Sequence, residues 1–177
     1  MREMLKYGLI LGFICFLSSS VLAIVNNVTE PKIRQQKEKE ESSAFNELMP
    51  ESLRFEARYR DEKIIYFTAF DNNNKLSGFI VKAKAKGYSS DIETAAGLAL
   101  NLEIRSLKIL SQDETPGLGN RITEASFLGQ FQGKNADTLN DVQAITGASI
   151  SSRGVINSLR DKIQELKEQL LFEANHG

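Results

Sequence analysis

Charge and apolar character change abruptly along the chain and divide it into three segments. Residues 7–29 carry no charge. As a helix they would extend about 34 Å at roughly 1.5 Å per residue, enough to cross a hydrocarbon core about 30 Å thick. Residues 30–44 are almost all polar and predict a charged, solvent-exposed helical stalk with Pro31 near its first turn. The remaining residues, 45–177, mix apolar and polar positions as a folded domain does.

We interpret residues 7–29 as a single transmembrane anchor. A cleaved signal peptide is the alternative, but residues 19–23 form a poor cleavage site and the apolar run is long for a signal sequence. Cys15 lies in the middle of the span, where it most simply acts as a small apolar residue. The basic residues on the two sides of the span mildly favour a cytoplasmic domain, because positively charged flanks tend to stay inside.

Alternating apolar and polar residues predict an antiparallel sheet in the domain. Residues 64–70 are β-branched and aromatic, residues 71–75 are dense in turn formers, and residues 76–87 alternate apolar residues with lysines. This pattern predicts a hairpin with one buried face and one lysine-bearing face in solvent. Two further stretches, 98–104 and 107–110, show similar alternation and predict additional strands.

The C-terminal segment has the spacing of an amphipathic helix. Its apolar residues recur every three or four positions, with charged residues on the opposite face. The predicted core-facing positions are Val155, Leu159, Ile163, Leu166 and Leu170. The predicted fold class is therefore α+β. A single N-terminal transmembrane helix precedes a compact domain of an antiparallel sheet and flanking helices, about 130 residues long and large enough for a core.

Composition argues against several kinds of site. The net charge is −1, with 22 basic and 23 acidic residues, so the basic excess typical of nucleic-acid-binding proteins is missing. There is one cysteine and one histidine, His176, which lies next to the C-terminal residue. We therefore expect no internal disulfide, no metal site, no nucleic-acid partner and no histidine-based catalytic group. Any iron–sulfur centre would belong to another polypeptide.

Three glycine-containing stretches interrupt the regular pattern: KGYSSDI (86–92), DETPGLGNRI (113–122) and ITGASISSRG (145–154). The third ends where the amphipathic helix begins. A helix N-terminus offers free N–H groups and a partial positive charge, which suit a phosphate. The hydroxyls of Thr146 and Ser149 could cap the helix, bind a phosphate or form an ester with one. The sequence has neither a P-loop nor a serine-hydrolase motif.

In order and spacing, these stretches resemble the FMN-binding domain of RnfG, a component of the Rnf electron-transport complex. A relative of that family is NqrC, a component of the sodium-pumping NADH:quinone reductase. The resemblance covers nearly the whole chain, including VTEPKI after the apolar run and FLGQFQGK (127–134). In the family, a [ST]GA[TS] motif carries FMN through a phosphoester on its last hydroxyl. The resemblance therefore implies covalent FMN on Ser149, with Thr146, Gly147 and Ala148 completing the motif.

The resemblance also implies cofactor contacts from the second stretch. In the family, the ETPGLG segment lies against the flavin, and here it occupies residues 114–119. The implied cofactor-binding residues in this segment are Glu114, Thr115, Gly117 and Leu118.

Two positions depart from the family pattern. The acceptor is usually threonine, whereas Ser149 has the same hydroxyl without the methyl group. The family often has an aspartate shortly before the motif, where this chain has Gln143, and the nearest carboxylate is that of Asp141. Thr146, Ser151 and Ser152 are alternative acceptors, with Thr146 the weakest on motif grounds.

The resemblance implies a membrane-anchored flavoprotein component of an Rnf-type complex. It would relay electrons between ferredoxin- or NADH-linked partners while the complex moves Na⁺ or H⁺. Its partners would be the membrane and iron–sulfur subunits and the flavin transferase that attaches FMN. The family places the domain on the extracytoplasmic side of the cytoplasmic membrane, and we follow the family over the weak charge count. The alternatives are a component of a sodium-pumping quinone reductase, another extracytoplasmic FMN-binding reductase, and a flavin-free membrane-tethered scaffold.

Overall fold

The computed structural model describes residues 2–176, apart from the side chains of Glu3, Leu5 and Arg34. Arg34 is one of the basic residues in the charge count above, and its side chain lies outside the described part. The chain divides into two compact units with a boundary between Glu41 and Ser42. The main elements are α1 (Arg2–Leu48), β1 (Arg54–Arg60), β2 (Lys63–Phe70), β3 (Leu76–Lys86), β4 (Asp91–Leu98), β5 (Ile104–Ser111), α2 (Ala125–Leu128) and α3 (Ser149–His176).

The first unit is the N-terminal part of α1. The helix continues through Pro31, so the apolar and charged segments belong to one element. Its apolar side chains are exposed within the described structure, for example Leu9 at 69% and Phe16 at 71%. The Ser20 hydroxyl donates to the Phe16 carbonyl at 2.8 Å, which satisfies this polar group inside the apolar run. Among the described residues, α1 is the one helix long and apolar enough to cross a membrane.

The second unit is built on a five-stranded antiparallel sheet in the order β1-β2-β3-β4-β5. A two-residue turn joins β1 to β2, and both of its residues, Asp61 and Glu62, have positive φ, as a tight hairpin requires. The predicted turn at 71–75 joins β2 to β3. There the Asp71 carboxylate accepts hydrogen bonds from the N–H groups of Asn73 at 2.8 Å and Lys75 at 2.9 Å.

The prediction of a strand at 98–104 is wrong. Leu98 ends β4 and Ile104 begins β5, and the residues between them form a turn closed by a hydrogen bond from the Ala99 N–H to the Glu103 carbonyl at 2.8 Å. Leu102 has a left-handed φ of 64°, which no strand residue adopts. Leu98 and Leu102 are buried and Leu100 is half-buried, and the last two lie in the turn itself rather than along a strand. The strand predicted at 107–110 lies within β5.

The predicted solvent-facing side of the hairpin is exposed along only part of β3. On that face, Ile80 is 0% exposed, because the end of α1 covers this part of the sheet. Phe45, Leu48 and Met49 pack there in a small core with Ile80 and its neighbours. Only the far end of β3, with Lys84 and Lys86, is exposed. The sheet therefore has a core on both faces, of which one is small.

The larger core lies between the sheet and α3. All five predicted core-facing positions of α3 are at most 1% exposed, as the helical spacing predicted. They pack against Phe79, Ile92 and Leu98 of the sheet and against Phe127 and Phe131 of the α2 region. Phe127 and Phe131 also meet edge to face, with ring centroids 5.2 Å apart. This core holds the first turn of α3 beside the β3–β4 turn, where the candidate site lies.

Candidate functional site

The three glycine-containing stretches meet around a cavity of about 400 Å³ at the N-terminus of α3. The first stretch forms the β3–β4 turn, the second follows β5, and the third leads into α3. Their separation in sequence hides this proximity, which the antiparallel meander and the packing of α3 create. The lining residues are Tyr88, Glu114, Thr115, Leu118, Gly119, Gly147, Ala148, Ser149, Ile150 and Ser151.

The hydroxyls of the third stretch have different environments. Thr146 and Ser149 are exposed, and among the hydrogen bonds of the described residues none involves either hydroxyl. Ser151 is 1% exposed, and its hydroxyl donates to a Glu114 carboxylate oxygen at 2.6 Å. Ser152 is 0% exposed, donates to the Ala148 carbonyl at 2.8 Å and accepts from the Ile145 N–H at 3.2 Å. Ser152 thus closes the turn that precedes α3, and among the described residues neither Thr146 nor Ser149 caps the helix with its hydroxyl.

The N-terminus of α3 leaves several donors unused. The first hydrogen bond of the helix runs from the Ser152 N–H to the Ala148 carbonyl at 2.9 Å. Within residues 2–176, no hydrogen bond uses the N–H of Ser149, Ile150 or Ser151. Such unpaired groups, together with the helix dipole, favour a negatively charged group at this end of the helix. Gly147 has φ +83°, a conformation that brings the chain into the helix and suits glycine.

Glu114 is the charged residue of the cavity wall. Its side chain is 5% exposed, and the carboxylate accepts hydrogen bonds from the N–H groups of Ser89 and Ser90, both at 2.9 Å, and of Tyr88 at 3.2 Å. Burial alone would raise the pKa of this carboxyl, but the hydrogen bonds from Ser151 and from the three N–H groups outweigh it. The pKa of Glu114 is therefore lowered, and the group is ionised at neutral pH. Among the lining residues, none is lysine, arginine or histidine.

The structure places most of the sequence-predicted site residues at this cavity. Glu114, Thr115, Leu118, Gly147, Ala148 and Ser149 line it. Thr146 and Gly117 do not line it. Gly117 has φ +74° and its N–H donates to the Asn120 side-chain carbonyl at 2.8 Å, so it shapes the turn.

Two lining residues were not predicted. Tyr88 and Ile150 are exposed by 74% and 56%, and Leu118 by 52%, so apolar side chains surround the cavity beside Ser149. A large aromatic residue in a glycine-containing turn was the available signal for Tyr88. Ile150 could have been predicted from its position directly after Ser149, the acceptor that the resemblance implies.

Asp141 and Gln143, which stand where the family often has an aspartate before the motif, form contacts away from the cavity. The Asp141 carboxylate forms an ion pair with Lys134 at 3.3 Å. The backbone N–H of Gln143 donates to the Gln130 side chain at 2.9 Å. Neither residue lines the cavity.

Two family matches cover most of the chain. The FMN-binding domain family matches residues 87–164, which begin at the β3–β4 turn and include the whole cavity wall. The RnfG N-terminal region matches residues 1–48, which end with α1.

Curated relatives match over nearly the full length. The component designated G in the proton-translocating ferredoxin:NAD(+) oxidoreductase complex of Clostridium ljungdahlii is 29% identical, covering 86% of this chain and 85% of the relative. Its counterpart in the Na(+)-translocating ferredoxin:NAD(+) oxidoreductase complex of Acetobacterium woodii is 27% identical, covering 92% and 91%. The solved structure of NqrC from Shewanella oneidensis has the same fold, with a TM-score of 0.52 at 21% identity, covering 70% of this chain and 73% of NqrC.

Proposed function

Because the chain belongs to the RnfG family of Rnf-type ion-translocating electron-transport complexes, we propose that it carries FMN covalently on Ser149. The general function of the chain is electron transfer in an ion-translocating oxidoreductase, of which it is an FMN-binding, membrane-associated, single-pass component. The observation that carries the covalent proposal is the Ser149 hydroxyl, which is exposed and unbonded at the first residue of α3 and lines the cavity.

The residues of the cavity fit FMN. A volume of about 400 Å³ lies within the range of small-molecule sites, roughly 300–1,000 Å³. The unused N–H groups of Ser149, Ile150 and Ser151 suit a phosphate. The exposed apolar side chains of Tyr88 and Leu118 suit the face of a flat aromatic ring. FMN, when bound, accepts and releases electrons, and the protein supplies its position and surroundings.

The charge of the cavity favours a covalent link over free binding. A phosphate monoester carries about −1.5 to −2 charges at neutral pH. Glu114 is already an anion in the wall, and no basic residue is among those that line the cavity. The helix N-terminus stabilises an anion by about 0.3–1 kcal/mol, and up to about 2 kcal/mol in favourable geometry. An ester to Ser149 leaves the phosphate with a single negative charge and retains the cofactor whatever its free affinity.

Ser149 is the acceptor in the modification step. Its Oγ forms a bond to the phosphorus of a flavin nucleotide activated as a phosphoanhydride, the P–O bond of the anhydride breaks, and the second phosphate group leaves with the electron pair. The serine proton passes to a base of the flavin transferase, since the cavity offers no histidine or lysine. Ser151 and Ser152 are poor alternatives, because both are buried and hydrogen-bonded. Thr146 is exposed but does not line the cavity.

The proposed location and partners follow from the family. The second unit lies on the extracytoplasmic side, where covalent attachment prevents loss of the flavin. Its partners are the membrane and iron–sulfur subunits of the complex, together with the flavin transferase. The transported ion is Na⁺ or H⁺, the two ions for which the relatives described above are named.

The test is the intact mass of the full-length chain co-produced with a flavin transferase. The wild type should gain the mass of FMN less one water, and Ser149→Ala should gain nothing. Ser149→Thr should be modified, because it keeps the hydroxyl, and Ser158→Ala is the matched control, which removes an α3 hydroxyl away from the cavity and should be modified as well. An unmodified wild type would remove the covalent proposal and favour non-covalent binding or the flavin-free scaffold. Modification that persists in Ser149→Ala and disappears in Thr146→Ala would show that Thr146, and not Ser149, is the acceptor.

A further inference from the structure

The carboxylate of Glu114 is surrounded by donors from the protein itself. Besides the three N–H groups of the β3–β4 turn, it accepts from the Ser90 hydroxyl at 3.3 Å and from the Ser151 hydroxyl at 2.6 Å. One oxygen faces Ser89 and Ser90, and the other faces Tyr88 and Ser151. The carboxylate therefore joins two segments that are far apart in sequence, the β3–β4 turn and the first turn of α3.

The space around this carboxylate is filled on two sides by backbone. A Cβ placed on Gly87 would lie 2.8 Å from the Glu114 carboxyl carbon, and one on Gly119 would lie 2.8 Å from the Glu114 Cβ. Both distances are too short for real contacts, so glycine lets the chain pass close to the acid on each side. A ligand atom has little access to a group that is 5% exposed and already accepts five hydrogen bonds.

We propose that Glu114 is a positioning residue, which orients Ser149 for modification through Ser151 and does not itself bind the flavin. Successive residues of an α-helix are about 100° apart around its axis, so Ser149 and Ser151 are separated by about 200°. The Ser151 hydroxyl is held by Glu114, and Ser149 therefore leaves the helix on a different side, where it is exposed and lines the cavity. The same carboxylate holds Tyr88 beside it through the Tyr88 N–H.

This inference rests on the proposed attachment of FMN at Ser149, but its structural half can be measured without flavin. Hydrogen exchange on the full-length, unmodified chain in detergent reads the two joined segments directly. In Glu114→Gln, one oxygen becomes an NH₂ group that cannot accept, so the N–H groups that face it, either that of Tyr88 or those of Ser89 and Ser90, should exchange at least about tenfold faster. Exchange in the second half of α3, around Leu166, should not change.

The second measurement tests the effect on modification. It is the rate of flavin attachment to each variant, divided by the fraction of that variant that is folded. We expect Ser151→Ala to be modified several-fold more slowly and Glu114→Gln at least about tenfold more slowly than wild type. Ser151→Thr keeps the hydroxyl and should recover much of the rate, which a general loss of packing would not allow. Ser158→Ala is the matched control, because it removes a helical serine hydroxyl of α3 that donates to the Val155 carbonyl and does not line the cavity.

Wild-type rates and wild-type exchange in both Glu114→Gln and Ser151→Ala would overturn the proposal. Equal acceleration of exchange throughout α3 would also overturn it, since that result describes global destabilisation. If the wild type takes up no flavin, the proposed function fails, and the exchange of residues 88–90 still decides whether Glu114 joins the two segments. Should Glu114→Gln fail to fold, Ser151→Ala and Ser151→Thr carry the test.

Discussion

Gly119→Ala tests how rigidly the cavity wall is packed. The added methyl carbon would lie 2.8 Å from the Glu114 Cβ and 3.1 Å from the Ser151 Oγ, and closer still to a Glu114 carboxylate oxygen. An exposed side chain would swing away from such a contact at little cost. Glu114 cannot, because its five hydrogen bonds would have to break or stretch.

The expected loss of stability follows from three contributions. Overpacking in a close-packed interior costs about 1–3 kcal/mol. Loss of one hydrogen bond to the charged carboxylate costs about 1.5–3 kcal/mol. Replacing glycine with alanine lowers the entropy of the unfolded chain and returns about 0.4–1 kcal/mol. We expect a net loss of about 3 kcal/mol, which corresponds to a fall in Tm of roughly 10 °C for a unit of this size.

The assay is thermal unfolding of the full-length chain in detergent, followed by far-ultraviolet circular dichroism. Gly129→Ala is the matched control, because a Cβ there meets nothing within 4 Å and the residue has helical φ −64°. Alanine at 129 should leave Tm unchanged or raise it slightly. Equal Tm values for the two variants would show that the cavity wall yields easily, and the rigid account of Glu114 would then be wrong.

Three further predictions concern charge and packing in the second unit. The folded-state pKa of Glu114 is lowered, so the stability that its carboxylate contributes is present above the ordinary pKa of 4.5 and is lost as the pH falls through the folded value. Thermal unfolding measured from about pH 7 to 3 should show this loss of stability. An acid profile of Glu114→Gln identical to that of the wild type would contradict the prediction. Burial and the hydrogen bond to Glu173 raise the pKa of Tyr66 well above its usual range, so an ultraviolet titration should lose its most alkaline transition in Tyr66→Phe, and an unchanged titration would refute the assignment. Leu159→Ala should cost about 2–5 kcal/mol in thermal or denaturant unfolding, because the side chain is 0% exposed. Leu171→Ala, at 37% exposure, should cost less than about 1 kcal/mol, and equal losses would count against the burial assigned to α3.

Periodicity predicted the elements whose two faces differ and failed where both faces are alike. The spacing of α3 identified its core-facing residues, because most of its exposed positions are charged or polar. β4 escaped prediction, since Ala95 and Ala96 point to opposite faces and both are 0% exposed. The second core escaped as well, because Met49 and its neighbours cover Ile80 from the end of a helix, and the sequence pattern assigned only the preceding residues, 30–44, to the helical stalk. Contacts between distant segments decide such cases, and local patterns do not record them.

Helical geometry accounts for part of the hydroxyl-rich stretch and leaves the rest to tertiary contacts. Ser151 and Ser152 precede Val155 by four and three residues, so they continue its buried face once the helix start is known. Ser149 precedes Val155 by six residues, about 240° around the axis, and lies off that face. The sequence could not tell that Glu114 and the β3–β4 turn would meet Ser151, because their proximity depends on how the sheet and α3 pack. The hydroxyls of this stretch are therefore not equivalent as acceptors. Those of Ser151 and Ser152 are buried and hydrogen-bonded, whereas that of Ser149 is exposed and lines the cavity.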